Sequence, residues 1–378
     1  MSTSATLTPF QSALETLYSP LSPSSIPSPS TWSPPPNSGG HKGRYLWTDA
    51  FGVLSLLTLH TELARNPATK DTAGNTYLTL ASRLIASVHN TLGFNRAGTR
   101  RLHGATDSNP LGGGLRIGKL DESGADGDGQ YHHYLTLWMF ALNRMSVATG
   151  DPEYNRQAIA LAKAIHAPFF INRGSERARM VWKMDVDLGT VLVGSEGNLD
   201  PIDGFVVFRL LQAGAVQDGE GEVLKDEIED YARVMRRKGE HFVSSDPLDL
   251  GMTLWTAHWV VHEEWASRLA ERCFEQIYEL FEIRRYLERS MKYRLAFREF
   301  GTALGVRCMS EQDTEKERSV DLKVYADRIV EAWKPYMESS LSGAATPADL
   351  RPITRVMYAA AMIPGAFQRG YLGPEPRM

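Results

Sequence analysis

Four carboxylates stand out by their setting. Asp49, Asp203, Asp249 and Glu299 each precede a glycine by one to three residues within an apolar stretch of helical period. Two carboxylates held about 5–10 Å apart across a pocket are what glycoside hydrolysis requires, one as acid and the other as base or nucleophile. Glycine beside them would let a sugar approach the backbone. Asp49, in Trp47-Thr48-Asp49, lies in a strongly apolar context, so it must be paired (with His41, Lys42 or Arg44) or line a cavity. It is the first candidate. Asp203 and Asp249 fall at the third position of helices opened by Asp200-Pro201 and Asp246-Pro247, where a carboxylate also serves as a helix cap. Capping and catalysis are both open for them.

A second acidic cluster occupies the loop 119–129, with Asp121, Glu122, Asp126 and Asp128 among glycines just ahead of Tyr131-His132. Asp126 or Asp128 would act as general acid or base and His132 as a second proton-transfer group; a solvated turn is the plain alternative. The spacing does not fit a calcium loop. His133 is expected to point elsewhere and pack. Asp185 and Asp187 read as an extended surface segment. Lys42, Arg44 and Arg298 are candidates to bind a substrate carboxylate or developing negative charge, and Trp47, Tyr131 and Trp255 to contact the substrate. Residues 113–119 fit GxxxxGK, but Leu120 stands where Ser or Thr would hold Mg²⁺. His258 and His262 have zinc-helix spacing without the HExxH glutamate. No metal and no cofactor is expected.

The elements that would carry these groups alternate between two kinds of helix. One kind is apolar almost all round and suits an enclosed position; the other carries a single apolar stripe and suits a helix with one wet face. The enclosed kind is expected at residues 47–63, 131–149, 201–212, 247–261, 285–307 and 347–362, and the striped kind at 76–92, 153–166, 223–241, 263–282 and 320–337. A short N-terminal helix at 9–18 is the candidate sixth outer member. Asp-Pro or Thr-Pro pairs at 151–152, 200–201, 246–247 and 346–347 mark helix starts. Sequential hairpins bury their apolar faces only against neighbours, so six close into a ring. The expected fold class is all-α, an (α/α)6 barrel. The segments 94–130 and 171–200, rich in Gly, Asp, Asn and Arg, would lie on one rim.

The run from Tyr131 through Leu142, then Thr149-Gly150-Asp151-Pro152-Glu153-Tyr154 and the alanine-rich 158–164, resembles hairpins of the six-hairpin glycosidase superfamily. That superfamily includes unsaturated glucuronyl hydrolases, and sugar epimerases share its architecture. The resemblance implies a carbohydrate-directed hydrolase or epimerase, although the fold hosts lyases as well.

With 378 residues, 42% hydrophobic, the chain suits one domain over residues 41–378 preceded by a Ser/Pro-rich lead at 1–40 that is extended or disordered apart from its short helix. A net charge of −4 gives no reason to expect nucleic acid or an anionic membrane as partner. Two cysteines, Cys273 and Cys308, do not make a disulfide framework, and no signal peptide is seen at the start, so a cytoplasmic setting is expected. The expected function is a cytosolic enzyme acting on a carbohydrate or similar small molecule by carboxylate acid–base catalysis. The alternatives are an isoprenoid or other secondary-metabolite cyclase, which also uses α-toroids, and a non-catalytic scaffold.

Overall fold

The structure is a computed structural model and describes residues 3–26, 28–36, 43–66, 74–124, 127–312, 316–338 and 350–378. Among these residues the chain forms twelve α-helices. They are α1 (Thr3–Tyr18), α2 (Leu46–Arg65), α3 (Thr76–Leu92), α4 (His132–Thr149), α5 (Glu153–His166) and α6 (Asp200–Gln217), followed by α7 (Lys225–Val234), α8 (Pro247–Ala257), α9 (Glu264–Tyr278), α10 (Ala296–Ser310), α11 (Lys316–Glu338) and α12 (Arg351–Met362). The even-numbered helices form a closed inner ring in which each packs on the next and α12 returns to α2. The odd-numbered helices lie outside, α3, α5, α7, α9 and α11 each against the inner helix before it, and α1 closes the set by packing on α12.

The composition of each helix explains its place. In α2 every residue from Leu46 to Leu59 is buried, whereas α3 buries Tyr77, Leu80, Ala81, Leu84, Ile85, Val88 and Leu92, a spacing that lines one face. Helices α8 and α10 approach most closely because glycines face each other. A Cβ on Gly251 would collide with the Gly301 carbonyl, and one on Gly305 with the Gly251 carbonyl. These glycines serve helix packing rather than the approach of a sugar. At the end of the ring formed by the inner helices' C-termini, the turn Gly365–Phe367 inserts Phe367 against Phe51, with ring centroids 4.8 Å apart.

Several helices differ from their sequence expectation: α6 runs on to Gln217, and α8 stops at Ala257 and passes into a 3₁₀ turn at His258–Val260. Residues 285–295 form short 3₁₀ turns at Tyr286–Glu288 and Met291–Tyr293, so α10 begins only at Ala296. Both α7 and α9 end in a π-turn, at Met235–Gly239 and Glu279–Ile283. The residues 346 and 347 expected to open α12 lie outside the described residues. The helix expected at 9–18 is present as α1, and the described part of the lead packs on the barrel. Phe10, Leu14 and Tyr18 of α1 are buried in the core, and Leu21 and Ile26 beyond it are buried as well. Short apolar residues among the prolines are enough to lay it on the barrel.

The two long interruptions meet on one rim. Strands β1 (Gln130–Tyr131), β4 (Lys183–Met184) and β5 (Val191–Val193) form an antiparallel sheet in the order β1-β4-β5, while β2 (Phe170–Ile171) pairs with β3 (Arg179–Met180). The β1–β4 pairing ties the first loop to the second directly above the ring. No helix among the described residues is long and apolar enough to cross a membrane.

Candidate active site

The first turns of all six inner helices, or the residues leading into them, line one cavity of about 610 Å³. Trp47 comes from α2, Tyr131, His133 and Tyr134 from the start of α4, Asp200 from α6, and Asp249 from α8. Arg298 belongs to α10 and Ile353 to α12. The rim loops add Lys119, Trp182, Lys183 and the stretch 196–199. Aromatic rings form one wall. Tyr131 and Tyr134 stack with centroids 4.5 Å apart, Trp182 lies 4.7 Å from Tyr131, and Trp47 lies 5.1 Å from Tyr134 and 4.6 Å from His133. Such faces suit the C–H surface of a sugar ring.

The polar groups divide by how far their neighbours already satisfy them. Arg298 is bound to Asp246, Glu196 to Arg237 and Lys238, and Lys183 donates to the Gly127 carbonyl at 2.9 Å. Asp249 is half-buried and accepts a 3.1 Å hydrogen bond from the Asn198 amide. Asp200 is buried, and its Oδ1 lies 3.3 Å from His132 Nδ1. His133 Nδ1 lies 2.5 Å from Asp203 Oδ2, whose other oxygen accepts from Thr256 at 2.7 Å. Burial disfavours the His133 imidazolium. The charge and hydrogen bond of Asp203, with Asp200 and Asp249 behind them, outweigh that cost and raise its pKa above that of an ordinary imidazole. Burial also pushes the Tyr131 phenol up, reinforced by Tyr134, Asp200 and Asp249. An aspartate-supported histidine and two further carboxylates thus share one aromatic-walled cavity.

Several expected site residues lie elsewhere. Asp49 is fully buried and clamped by Arg44, with Nε to Oδ1 at 2.9 Å and Nη2 to Oδ2 at 3.1 Å, while the Tyr18 hydroxyl donates to Oδ1 at 3.1 Å. Neither Asp49 nor Arg44 lines the cavity; of the two outcomes open to a carboxylate in that context, pairing prevails. Asp128 is buried in the rim loop by Arg96, Arg116 and the Gly118 and Lys119 N–H groups, which makes it a loop organiser. Trp255 is in the core, its Nε1 donating to the Phe367 carbonyl. His132 sits behind the cavity wall with Nε2 2.7 Å from the Tyr231 hydroxyl. Asp126 and Lys42 lie outside the described residues. Trp47, Tyr131, Asp249 and Arg298 do line the cavity.

Two corrections run the other way. His133, expected to pack elsewhere, faces the cavity, and Asp200, taken as a cap before Pro201, makes no side-chain cap and lines the cavity instead. Asp246 is a true cap, accepting from the Leu248 and Asp249 N–H groups, which leaves the Asp249 carboxylate available. Asp203 does not cap; its carboxylate is spent on His133 and Thr256.

The remaining motifs are structural. Asp185 accepts from the Gly189 N–H in the β4–β5 turn, and Asp187 from Arg100 and the His103 N–H. His258 is buried, close to the Trp255 carbonyl through Nδ1 and accepting the Arg369 N–H at Nε2. A second cavity, of about 500 Å³, lies between α1, α10, α11 and α12 at the far end of the ring. Its charges are matched locally as Arg307–Asp327, Lys323–Glu311 and Lys334–Glu331.

No protein-family model matches the chain, and no curated protein matches its sequence. Solved structures do. A family 76 glycoside hydrolase from a bovine Bacteroides thetaiotaomicron strain is similar with a TM-score of 0.60 and 13% identity, over 96% of this chain and 78% of that one. A family 76 glycoside hydrolase (mannosidase) from Bacteroides thetaiotaomicron gives 0.51 and 12%, over 95% and 98%. A sugar epimerase from a ruminal bacterium gives 0.49 and 13%, over 88% and 90%. The chain thus shares its (α/α)6 fold of six helical hairpins with these two glycoside hydrolases.

Proposed function

We propose that the protein is a carbohydrate-active enzyme of glycosidase type, with its substrate seated in the cavity at the N-terminal mouth of the helical ring. One observation carries the reading: Asp200, Asp249 and the His133–Asp203 pair converge on one cavity of about 610 Å³ walled by Trp47, Tyr131, Tyr134 and Trp182. In hydrolysis one of the two carboxyl groups gives its proton to the glycosidic oxygen as the bond to the anomeric carbon breaks. The other takes a proton from the water whose oxygen bonds to that carbon. His133 hydrogen-bonds a sugar hydroxyl, held in place by Asp203. The mannosidase among the similar structures makes mannosides the first substrates to try. A cytosolic setting belongs to the same proposal, supported by Cys273 and Cys308 being buried free thiols.

The test is hydrolysis of 4-nitrophenyl mannosides of both anomeric configurations and of mannan oligosaccharides by the wild type, Asp200→Asn and Asp249→Asn. Each variant is expected to lose about 10²-fold or more in kcat, as for loss of a general acid or base, while melting within a few degrees of the wild type. Unchanged turnover in both variants would remove the two carboxylates from the mechanism.

A second reading, sugar epimerisation, is favoured by one specific feature: the aspartate-supported His133, since histidine suits proton removal near neutral pH. Incubating reducing sugars in D2O separates the two. Deuterium appearing on carbon marks an epimerase, and its absence alongside glycoside cleavage marks a hydrolase.

A further inference from the structure

We infer that Tyr231 and His132 form a buried positioning relay that fixes Asp200 as the proton-accepting carboxylate of the cavity. The inference deepens the proposed function and rests on it for its kinetic consequence. Its structural part stands by itself.

The relay is read from hydrogen-bond bookkeeping. Tyr231, on outer helix α7, is fully buried, and its hydroxyl bonds to His132 Nε2 at 2.7 Å. Burial, reinforced by Asp200 and Asp203, pushes the phenol well above its usual range, so the O–H keeps its proton. A buried O–H must donate, and Nε2 is the acceptor within reach, so the proton of the neutral imidazole sits on Nδ1. Nδ1 faces Asp200 Oδ1 at 3.3 Å. Both atoms are buried and neither makes a hydrogen bond as placed, so each is the other's nearest available partner. The opposite tautomer would strand the phenol O–H and leave two acceptors facing each other. A small reorientation of the imidazole and carboxylate across this 3.3 Å contact then gives Tyr231 O–H to Nε2 and Nδ1–H to Asp200 as one directed chain.

The surroundings are built to keep this geometry. Gly204 sits where a Cβ would run into the Tyr231 ring, so the lack of a side chain on α6 is what lets Tyr231 reach His132. Phe208 and Phe170 pack edge-on against Tyr231 at 4.8 and 5.1 Å, and Phe169 lies edge-on to His132 at 5.2 Å. Beyond Tyr231 stands His166, which burial holds neutral with its pKa pushed down to about 3 and which therefore adds no charge to the chain. A carboxylate that accepts an N–H from behind is oriented to accept a proton in front. Asp249 also accepts an N–H, but from the Asn198 side-chain amide, which can turn its carbonyl to accept from a protonated carboxyl. An Nδ1–H fixed by Tyr231 can only donate; Asp200 is accordingly the base and Asp249 the acid of the pair. His132 and Tyr231 do not touch the cavity; they act through Asp200 as positioning residues.

The test combines a spectroscopic and a kinetic arm. In protein labelled with ¹⁵N-histidine, with the His132 signals assigned by comparison with His132→Gln, the wild type is expected to show the Nδ1–H tautomer with Nε2 as hydrogen-bond acceptor. Tyr231→Phe, which keeps the ring and removes only the hydroxyl, is expected to remove the hydrogen-bond signature at Nε2 and to leave the Nδ1–H form held by Asp200 alone. It should lower kcat on the 4-nitrophenyl mannoside that the wild type cleaves by about 10- to 100-fold with KM within about threefold, the range typical for groups that orient others. An Nε2–H or doubly protonated His132 in the wild type overturns the relay. So does full kcat in Tyr231→Phe when Asp200→Asn is inactive. If Asp200→Asn is itself fully active, the proposed site falls instead, and the wild-type tautomer still decides the hydrogen-bond chain.

Discussion

Replacing Asp49 by Asn separates a structural carboxylate from a catalytic one. Its oxygens are both taken by the Arg44 guanidinium, with Tyr18 as a third donor, and all three side chains are buried. Asparagine keeps one acceptor and turns two N–H donors toward the donors of Arg44, leaving a buried cation without its counter-charge. Breaking a buried pair in this way costs about 3–5 kcal/mol. For a chain of 378 residues the unfolding entropy is roughly 0.8 kcal/mol/K, so Tm should fall by about 4–6 °C. Turnover, measured on the same preparation below the melt, should stay within about twofold, because Asp49 does not line the cavity. Arg44→Met combined with Asp49→Leu, an apolar pair of similar volume, should recover most of the lost stability. An Asp49→Asn protein that melts like the wild type and is inactive would refute this reasoning and return Asp49 to the catalytic role its apolar setting in the sequence favoured.

Gly251→Ala should be among the most damaging small substitutions, since its methyl group meets the Gly301 backbone rather than a side chain that can move; a loss of about 3 kcal/mol or more is expected in a urea melt, and a neutral effect would contradict the close α8–α10 contact. Stability should also fall in mild acid. Burial holds His89 at about 4 and His166 and His258 at about 3, whereas the unfolded chain protonates its histidines near 6.5. The unfolded state therefore binds more protons below about pH 6.5, and each imidazole removes about 1.4 kcal/mol per pH unit until its folded pKa is reached. A Tm that stays flat between pH 7 and pH 5 would show that these rings are not buried neutral.

The barrel was legible because inner and outer helices differ in how many of their faces are apolar, and that difference survives any error in helix ends. The periodic stretches 76–92 and 153–166 coincide with α3 and α5 end to end, whereas 285–307 reads as one helix because its 3₁₀ turns share the helical spacing of apolar groups. The cavity was legible only in part. His132 and His133 are neighbours about 100° apart on one helix, and periodicity does not say which of two such azimuths faces the axis once the whole helix is apolar. Asp200 was hidden by Pro201, whose presence made a capping role the natural reading; the cap is absent because the loop before α6 turns the carboxylate toward the cavity and His132.

A sequence signal that separates the acids was nevertheless present. Six helix starts aimed at one point bring together six positive dipole ends, so first-turn acids are favoured whether or not they do chemistry. Asp49, Asp200, Asp203, Asp249 and Glu299 all occupy such turns. Two of them carry an arginine five residues upstream. Arg44 clamps Asp49, and Arg294 clamps Glu299 with Nε to Oε1 at 2.8 Å and a second bond to Oε2. In both clamps an aromatic donor from an outer helix completes the shell, Tyr18 for Asp49 and Trp333 for Glu299. Five residues before Asp200, Asp203 and Asp249 stand Ser195, Asn198 and Ser244, none of which brings a charge. The acids without an upstream arginine are the ones that face the cavity or hold the histidine that does, because a carboxylate whose two oxygens are both held by a guanidinium away from the cavity has none left to present to a substrate.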